Sequence, residues 1–368
     1  MSVFSETSFD EHEQVVFCHD RDSGLKAIIA IHDTTLGPAL GGCRMWPYAS
    51  DDEALNDVLR LSRGMTYKAA ISGLDQGGGK SVIIGDPRKD KSPALFQALG
   101  RFVESLGGRY IVAEDVGITV ADMDEVGRIT DHVAGTTAKS CGDPSPGTAW
   151  GVMHGMRAAV RHKLGRDSLE GLTVAVQGLG HVGMYLCRFL HERGVRLIVA
   201  DIQKDAVAEA MKSFGARAVS TEEIMRVEAD IFAPCALGAV LNDETIPRLG
   251  APIVAGSANN QLAEDRHGEM LRDAGILYAP DYVINAGGVI IISHEGPGFD
   301  RKRAMDHVAG IYDTLIEVFS RAEKEGAPTS RIADEMARER IAAARRRRHA
   351  YFPTAHDPAG RQPKGMYA

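Results

Sequence analysis

Apolar and polar residues alternate through two early runs, QVVFCHD at 14–20 and LKAIIAIHD at 25–33, and the RDSG between them turns the chain; together they predict a β-hairpin. A third run, GPALGGCRM, reads as a strand whose glycines let the backbone approach a ligand. Then the period changes. Over residues 51–70 acidic residues lead and apolar ones recur at helical spacing, which predicts a helix carrying Lys68 towards its C-terminal end. Lys80 leads into a short apolar strand, SVIIGD. A helix over 92–106 and a strand over 110–113 follow, placing Glu114 and Asp115 just beyond a strand end, where α/β folds commonly present functional groups. The proline-rich CGDPSPG at 141–147 predicts a domain boundary, with a helix over 148–163 after it.

From Leu172 the pattern is strand then helix, repeated: LTVAVQG, RLIVADI, ADIFAPC, APIVAGS and ILYAPDYVINAGG are the expected strands, with a helix between each and the next. Continuous apolar strands alternating with helices imply a parallel sheet covered on both faces. Residues 300–351 read as helical and are expected to return to the first domain. At about 150 residues per domain, the 368-residue chain holds about two. The predicted fold is therefore α/β with two domains: residues 1–140 a substrate-binding and oligomerisation domain, 141–324 a Rossmann-type dinucleotide-binding domain, and 325–368 a C-terminal helix and tail packing on the first.

Composition narrows the classes. A net charge of −8 argues against general nucleic-acid affinity. The run RRRR at 345–348 ends a helix, where cations are favoured by the dipole, so it reads as a solvated helix end. The acidic N-terminus lacks a signal-peptide pattern, and no apolar stretch approaches the length of a membrane span. Five cysteines without CxxC spacing point to a reducing, cytoplasmic setting. The histidines form no HExxH or Cys/His cluster, so no metal is expected.

Two glycine-rich phrases carry the chemistry. In GLGHVG at 178–183, between a strand and a helix, Gly178 and Gly180 permit a tight turn and close approach of a pyrophosphate, and Gly183 allows close helix–strand packing. The next strand ends in Asp201, about 20 residues on, where a carboxylate accepts both adenosine ribose hydroxyls. Its charge would repel a ribose 2′-phosphate, favouring NAD over NADP. TYKAAISGLDQGGGK at 66–80 sets Lys68 and Lys80 on either side of a glycine-rich turn. Two buried ammonium groups lower each other's pKa and leave one available as a neutral base. Asp115 reads either as the N-cap of the following helix or as a catalytic carboxylate. Asn260 in SANNQ and Asn285 in INAGG read either as hydrogen-bonding groups at the nicotinamide end of the crevice or as ties within turns.

Taken in order, GPALGGCRM, GMTYKAA, GGGKSVIIGDPRKD, AEDVGITVADMD, SLEGLTVAVQGLGHVG, DIFAPCALGAVLND and APDYVINAGGV resemble the glutamate, leucine, phenylalanine and valine dehydrogenase superfamily, and within it the leucine dehydrogenases, over nearly the whole chain. The resemblance implies reversible oxidative deamination: an L-amino acid, NAD⁺ and water give a 2-oxo acid, ammonia and NADH. It implies that Lys68 binds the substrate carboxylate, that Lys80 is the general base activating water, and that Asp115 relays protons. It sets Asn260 near substrate and nicotinamide, and Thr148 near the carboxamide of the cofactor; Asn285 is read from its place in INAGG alone as a cofactor contact. Leu40 and Gly41, where glutamate enzymes carry a lysine before the glycine pair, together with Ala113, Val289 and Ile292, imply an apolar side-chain pocket for leucine, isoleucine and valine. Ile291 and Ile292 stand where leucine dehydrogenases commonly have Asn and Val. Family members form symmetric homo-oligomers, octamers among them. The alternatives are the same chemistry on phenylalanine or tryptophan, or a silent NAD-binding regulator; the last requires loss of Lys68, Lys80 or Asp115, and all three are present.

Overall fold

A computed structural model describes residues 3–139, 142–296 and 298–351. Cys141 and the Pro/Gly-rich tail after Tyr351 lie outside the described residues. The first half builds β1 (Gln14–Asp20), β2 (Leu25–Asp33), β3 (Ala39–Trp46), α1 (Asp51–Ile71), β4 (Gly77–Ile84), α2 (Pro93–Ser105), β5 (Tyr110–Glu114) and α3 (Val120–Gly127). The strands form one sheet in the order β1-β2-β4-β3-β5. The predicted hairpin is there, and β4 pairs antiparallel with β2 and parallel with β3.

Helix α1 starts where Ser50 accepts the Glu53 N–H at 3.1 Å, and three acidic residues in its first turn complement the helix dipole. It buries Ala54, Leu55, Val58 and Leu59 on one face of the sheet, against Ile28, Ala30 and Val82. The other face packs on α2 and α3. The expected glycine turn before Lys80 is a strand instead, since Gly77, Gly78 and Gly79 open β4 and Lys80 sits inside it. The reason is helix–sheet approach: a Cβ on Gly78 would lie 2.0 Å from the Thr66 nitrogen of α1.

The second half builds α4 (Ser145–Leu164), β6 (Thr173–Gln177), α5 (His181–His191), β7 (Arg196–Ala200), α6 (Lys204–Phe214), β8 (Arg217–Ala218), β9 (Ile231–Pro234), β10 (Ile253–Val254), α7 (Arg266–Asp273), β11 (Leu277–Tyr278), α8 (Asp281–Ile284), α9 (Gly287–Ser293), α10 (Arg301–Ala309), α11 (Ile311–Glu325) and α12 (Thr329–Tyr351). Its sheet runs β11-β10-β9-β6-β7-β8 and every pair is parallel.

Two expectations are corrected here. The helix expected between β9 and β10 is a single 3-10 turn, Ile246–Arg248. The Asn242 side chain takes the N–H groups of Glu244 and Thr245 before the turn, and Leu249 passes into extended backbone at φ −63° and ψ 123°, which ends it after one turn. Asn285 lies at the end of a short helix rather than on a strand. The C-terminal helix does return to the first domain: Arg338 Nε donates to the Tyr67 hydroxyl, and Arg340 Nη1 donates to the carbonyls of Ala69 and Ala70.

Candidate active site

Lys80 and Asp115 meet on the α1 face of the first sheet. Lys80 is 5% exposed, and its Nζ lies 2.7 Å from Asp115 Oδ2. The same oxygen takes Arg44 Nε at 3.1 Å, and Arg44 Nη1 reaches Asp57 at 2.9 Å. Tyr48 donates its hydroxyl to that second carboxylate. Burial opposes ionisation of Asp115, but Lys80 and Arg44 outweigh it and hold the carboxyl below its usual range. Asp115 is no helix cap: Thr119 accepts the Asp122 N–H and returns its own to the Asp122 carboxylate. Gly42 makes the arrangement possible, since a Cβ there would stand 2.7 Å from the Asp115 Cβ.

Lys68 enters from the last turn of α1. Burial pushes its ammonium down to about 8; Asp281 opposes the shift, Lys80 adds to it and Asp115 opposes it. Asp281 comes from the second domain, at the start of α8.

Beside these charges is an apolar cluster of Leu40, Ala113 and Ala134, packed by Ile111, Val289 and Ile292. Leu40 pairs with Gly78, two residues before Lys80, and Ala113 precedes Asp115 by the same step, so strand alternation turns pocket and charges to one face. Helix α9 supplies Val289 and Ile292 from the second domain, and the Gly135 N–H donates to Glu295 just past its end. Of the two departures in α9, Ile291 is buried against Gly147 in α4, so only Ile292 belongs to the pocket. Gly41 adds no side chain; its carbonyl accepts the Tyr110 hydroxyl at 2.8 Å, and a Cβ there would collide with the Gly79 carbonyl.

A second group sits on the parallel sheet. Gly178 has φ +101°, a left-handed conformation that favours glycine. A Cβ on Gly183 would lie 2.1 Å from the Gly178 carbonyl, while one on Gly180 would meet nothing within 4 Å. Turn, open approach and close packing are thus divided among the three glycines. Asp201 accepts the N–H of Leu179 at 2.5 Å and of Gln203 at 2.7 Å, one on each carboxylate oxygen, which leaves each oxygen a further lone pair.

Between the two groups, Asn285 donates to the Ser257 carbonyl at 3.1 Å and to Asn259 Oδ1 at 2.7 Å. Its buried Oδ1 has no partner among the described residues. Asn260 is exposed, with φ +51°. Thr148 lies against Gly288, where a Cβ would come within 2.8 Å of its hydroxyl.

Three contributors to the site have no signal of their own in the sequence. Arg44 and Asp281 sit in GGCRM and APDYVINAGG, where neither periodicity nor spacing marks them as charged partners. Ala134 had no local signal: it lies in an irregular segment that reaches the pocket through the bridge between Val112 and Val133. Among the described residues no group of three His, Cys, Asp or Glu is placed to hold a metal ion, and no helix is long and apolar enough to cross a membrane.

Two family models cover this geometry: Glu/Leu/Phe/Val dehydrogenase, dimerisation domain, matches residues 12–132, and Glutamate/Leucine/Phenylalanine/Valine dehydrogenase matches 143–211 and 197–348. The chain belongs to the Glu/Leu/Phe/Val dehydrogenase family. It is an amino acid dehydrogenase, an oxidoreductase whose family chemistry uses a nicotinamide cofactor. It is 57% identical over 358 residues to leucine dehydrogenase of Geobacillus stearothermophilus, covering 97% of this chain and 98% of that one. Phenylalanine dehydrogenase of Bacillus thermotolerans is 49% identical over 348 residues, covering 93% and 91%. Among solved structures, L-tryptophan dehydrogenase from Nostoc punctiforme superposes with a TM-score of 0.82 at 48% identity, over 91% of this chain and 97% of that one.

Proposed function

We propose that this enzyme catalyses NAD-dependent, reversible oxidative deamination of branched-chain L-amino acids, leucine with valine and isoleucine, to 2-oxo acids and ammonia. The observation that carries the substrate reading is the apolar cluster of Leu40, Ala113, Ala134, Val289 and Ile292 on the face that bears Lys80 and Asp115. A second carboxylate there would be buried unpaired, at a cost of several kcal/mol, which disfavours glutamate. Relatives named leucine dehydrogenase share 53–58% identity with this chain, against 49–50% for those named for phenylalanine or tryptophan.

In this reading Lys68 takes the substrate carboxylate and Lys80 acts as general base on water. Asp115, already 2.7 Å from Lys80, exchanges protons with it while the imine is hydrated and ammonia leaves. Arg44 keeps the Asp115 carboxylate turned to Lys80. Asn260 lies against the substrate. The cofactor fits this chain: open space at Gly180 admits a pyrophosphate at the N-terminus of α5, Asp201 has lone pairs for the ribose hydroxyls, and the unpartnered Asn285 Oδ1 with Thr148 suits the carboxamide. When bound, it accepts the hydride released from the substrate Cα. Asp201 disfavours a 2′-phosphate, hence NAD.

The same reading divides the chain at residues 140 and 324, and includes a symmetric homo-oligomer, with the octamer as one form, in the cytoplasm. The described cysteines are free thiols, in keeping with a reducing compartment. Initial rates of NAD⁺ reduction with leucine, valine, isoleucine, phenylalanine, tryptophan and glutamate test the substrate. Highest kcat/KM on the branched acids supports the pocket argument; an aromatic preference overturns it, and silence on all six favours a regulator. Repeating the series with NADP⁺ tests Asp201, which fails if the two cofactors serve equally.

A further inference from the structure

We propose that Asp281 is a positioning residue of this site, a counter-charge to Lys68 supplied by the second domain that also fixes the loop carrying Asn260. The inference rests on the reading of Lys68 as the substrate carboxylate site. The geometry is that of a hub. Asp281 Oδ2 accepts the Gln261 N–H at 2.8 Å and Oδ1 accepts the Tyr282 N–H at 2.6 Å. Gln261 in turn donates Nε2 to the carbonyls of Gly256 and Ala258, so the whole 256–261 turn is tied down around Asn260, whose left-handed backbone needs such support.

Helix α8 packs against α1, and Val283 and Ile284 share a core with Tyr67, Ala69, Ala70 and Ile71, the neighbours of Lys68. Asp281 thus opens the helix that packs on the Lys68 end of α1, while its carboxylate holds the loop of Asn260. Burial raises the Asp281 carboxyl, while the Gln261 N–H and then Lys68 oppose that rise. The groups acting on Lys68 are Asp281 and Asp115, which favour its charge, and Lys80, which opposes it. The phenols of Tyr278 and Tyr282 complete the surroundings of Asp281.

Removing the Asp281 charge takes away support for the charged form of Lys68. A carboxylate binds only to that form, so affinity falls at a lower pH in the variant. The probe is 4-methylpentanoate, leucine's carbon skeleton without the amine, used as a competitive inhibitor so that only the carboxylate contact titrates. In the wild type its Ki should climb as pH rises through about 8. In Asp281→Asn the climb should begin about one pH unit lower, with NADH affinity retained. Asp281→Glu, which keeps the charge, should leave the climb at the wild-type pH even if the Asn260 loop shifts and kcat falls; it also serves if the Asn variant does not fold. An unmoved climb in Asp281→Asn, or a climb in Asp281→Glu displaced as far as in Asn, overturns the counter-charge role. Failure of the underlying reading looks different: the Ki of 4-methylpentanoate in Lys68→Met would then equal the wild-type value.

Discussion

The two sheets use glycine for opposite ends. In the mixed sheet, Gly42 and Gly78 remove side chains so that protein can touch protein: α1 lies on β4, and Asp115 folds over β3 onto Lys80. In the parallel sheet, Gly183 does the same for helix and strand, but Gly180 removes a side chain and nothing fills the space. In the first domain Lys80, Asp115, Arg44 and Asp57 are already paired with one another. The second domain keeps openings, the space at Gly180 and the Asn285 oxygen without a partner. Under the proposed function, the catalytic charges are prebuilt, whereas the surface for the dinucleotide is left incomplete.

Breaking the prebuilt side should have the largest effect. Asp115→Asn removes the anion shared by Lys80 and Arg44, and kcat should fall by roughly 10²–10⁴-fold while NADH titration stays near wild type; a loss confined to KM would contradict the relay.

Lys68→Met comes next. Losing one charge-assisted contact of about 1.5–3 kcal/mol should raise KM for leucine by roughly 10- to 150-fold. The same variant should be more stable than wild type. Lys68 titrates near 8 in the fold against 10.5 ordinarily, so between those values the unfolded chain binds the extra proton. The penalty of the buried ammonium is therefore complete below about pH 8 and fades towards 10.5. Melting curves at several pH values check this, and a Tm gain that grew with pH would contradict it.

The smallest expected effects sharpen the contrast between glycines. Gly183→Ala should cost about 1–3 kcal/mol of stability by overpacking. Gly180→Ala should leave Tm unchanged and weaken NADH binding, and equal melting losses for the two would erase the distinction.

Much of this was legible along the chain. The hairpin, α1 with Lys68 near its end, the βαβ loop with Asp201 and the helical character of the last segment follow from local periodicity and turn residues. The GGGK strand was misread because glycine's lack of a side chain is explained by what lies across from it, here Thr66 of α1, and no local pattern records that. The same holds for Asp115: its strand-end position was visible, but the choice between cap and ion pair was made by Lys80 and Arg44 from two other strands. Ala134 reached the pocket through a single bridge, and Asp281 gained its place through a backbone N–H twenty residues earlier, at Gln261.

The division of labour between the two sheets is tested most directly by Lys80→Ala, assayed for leucine-dependent NAD⁺ reduction and, in the same preparation, for NADH binding by fluorescence titration. The expected result is a fall in kcat of roughly 10²–10⁴-fold with NADH affinity essentially unchanged. Turnover close to wild type, or NADH affinity falling in step with turnover, would contradict it.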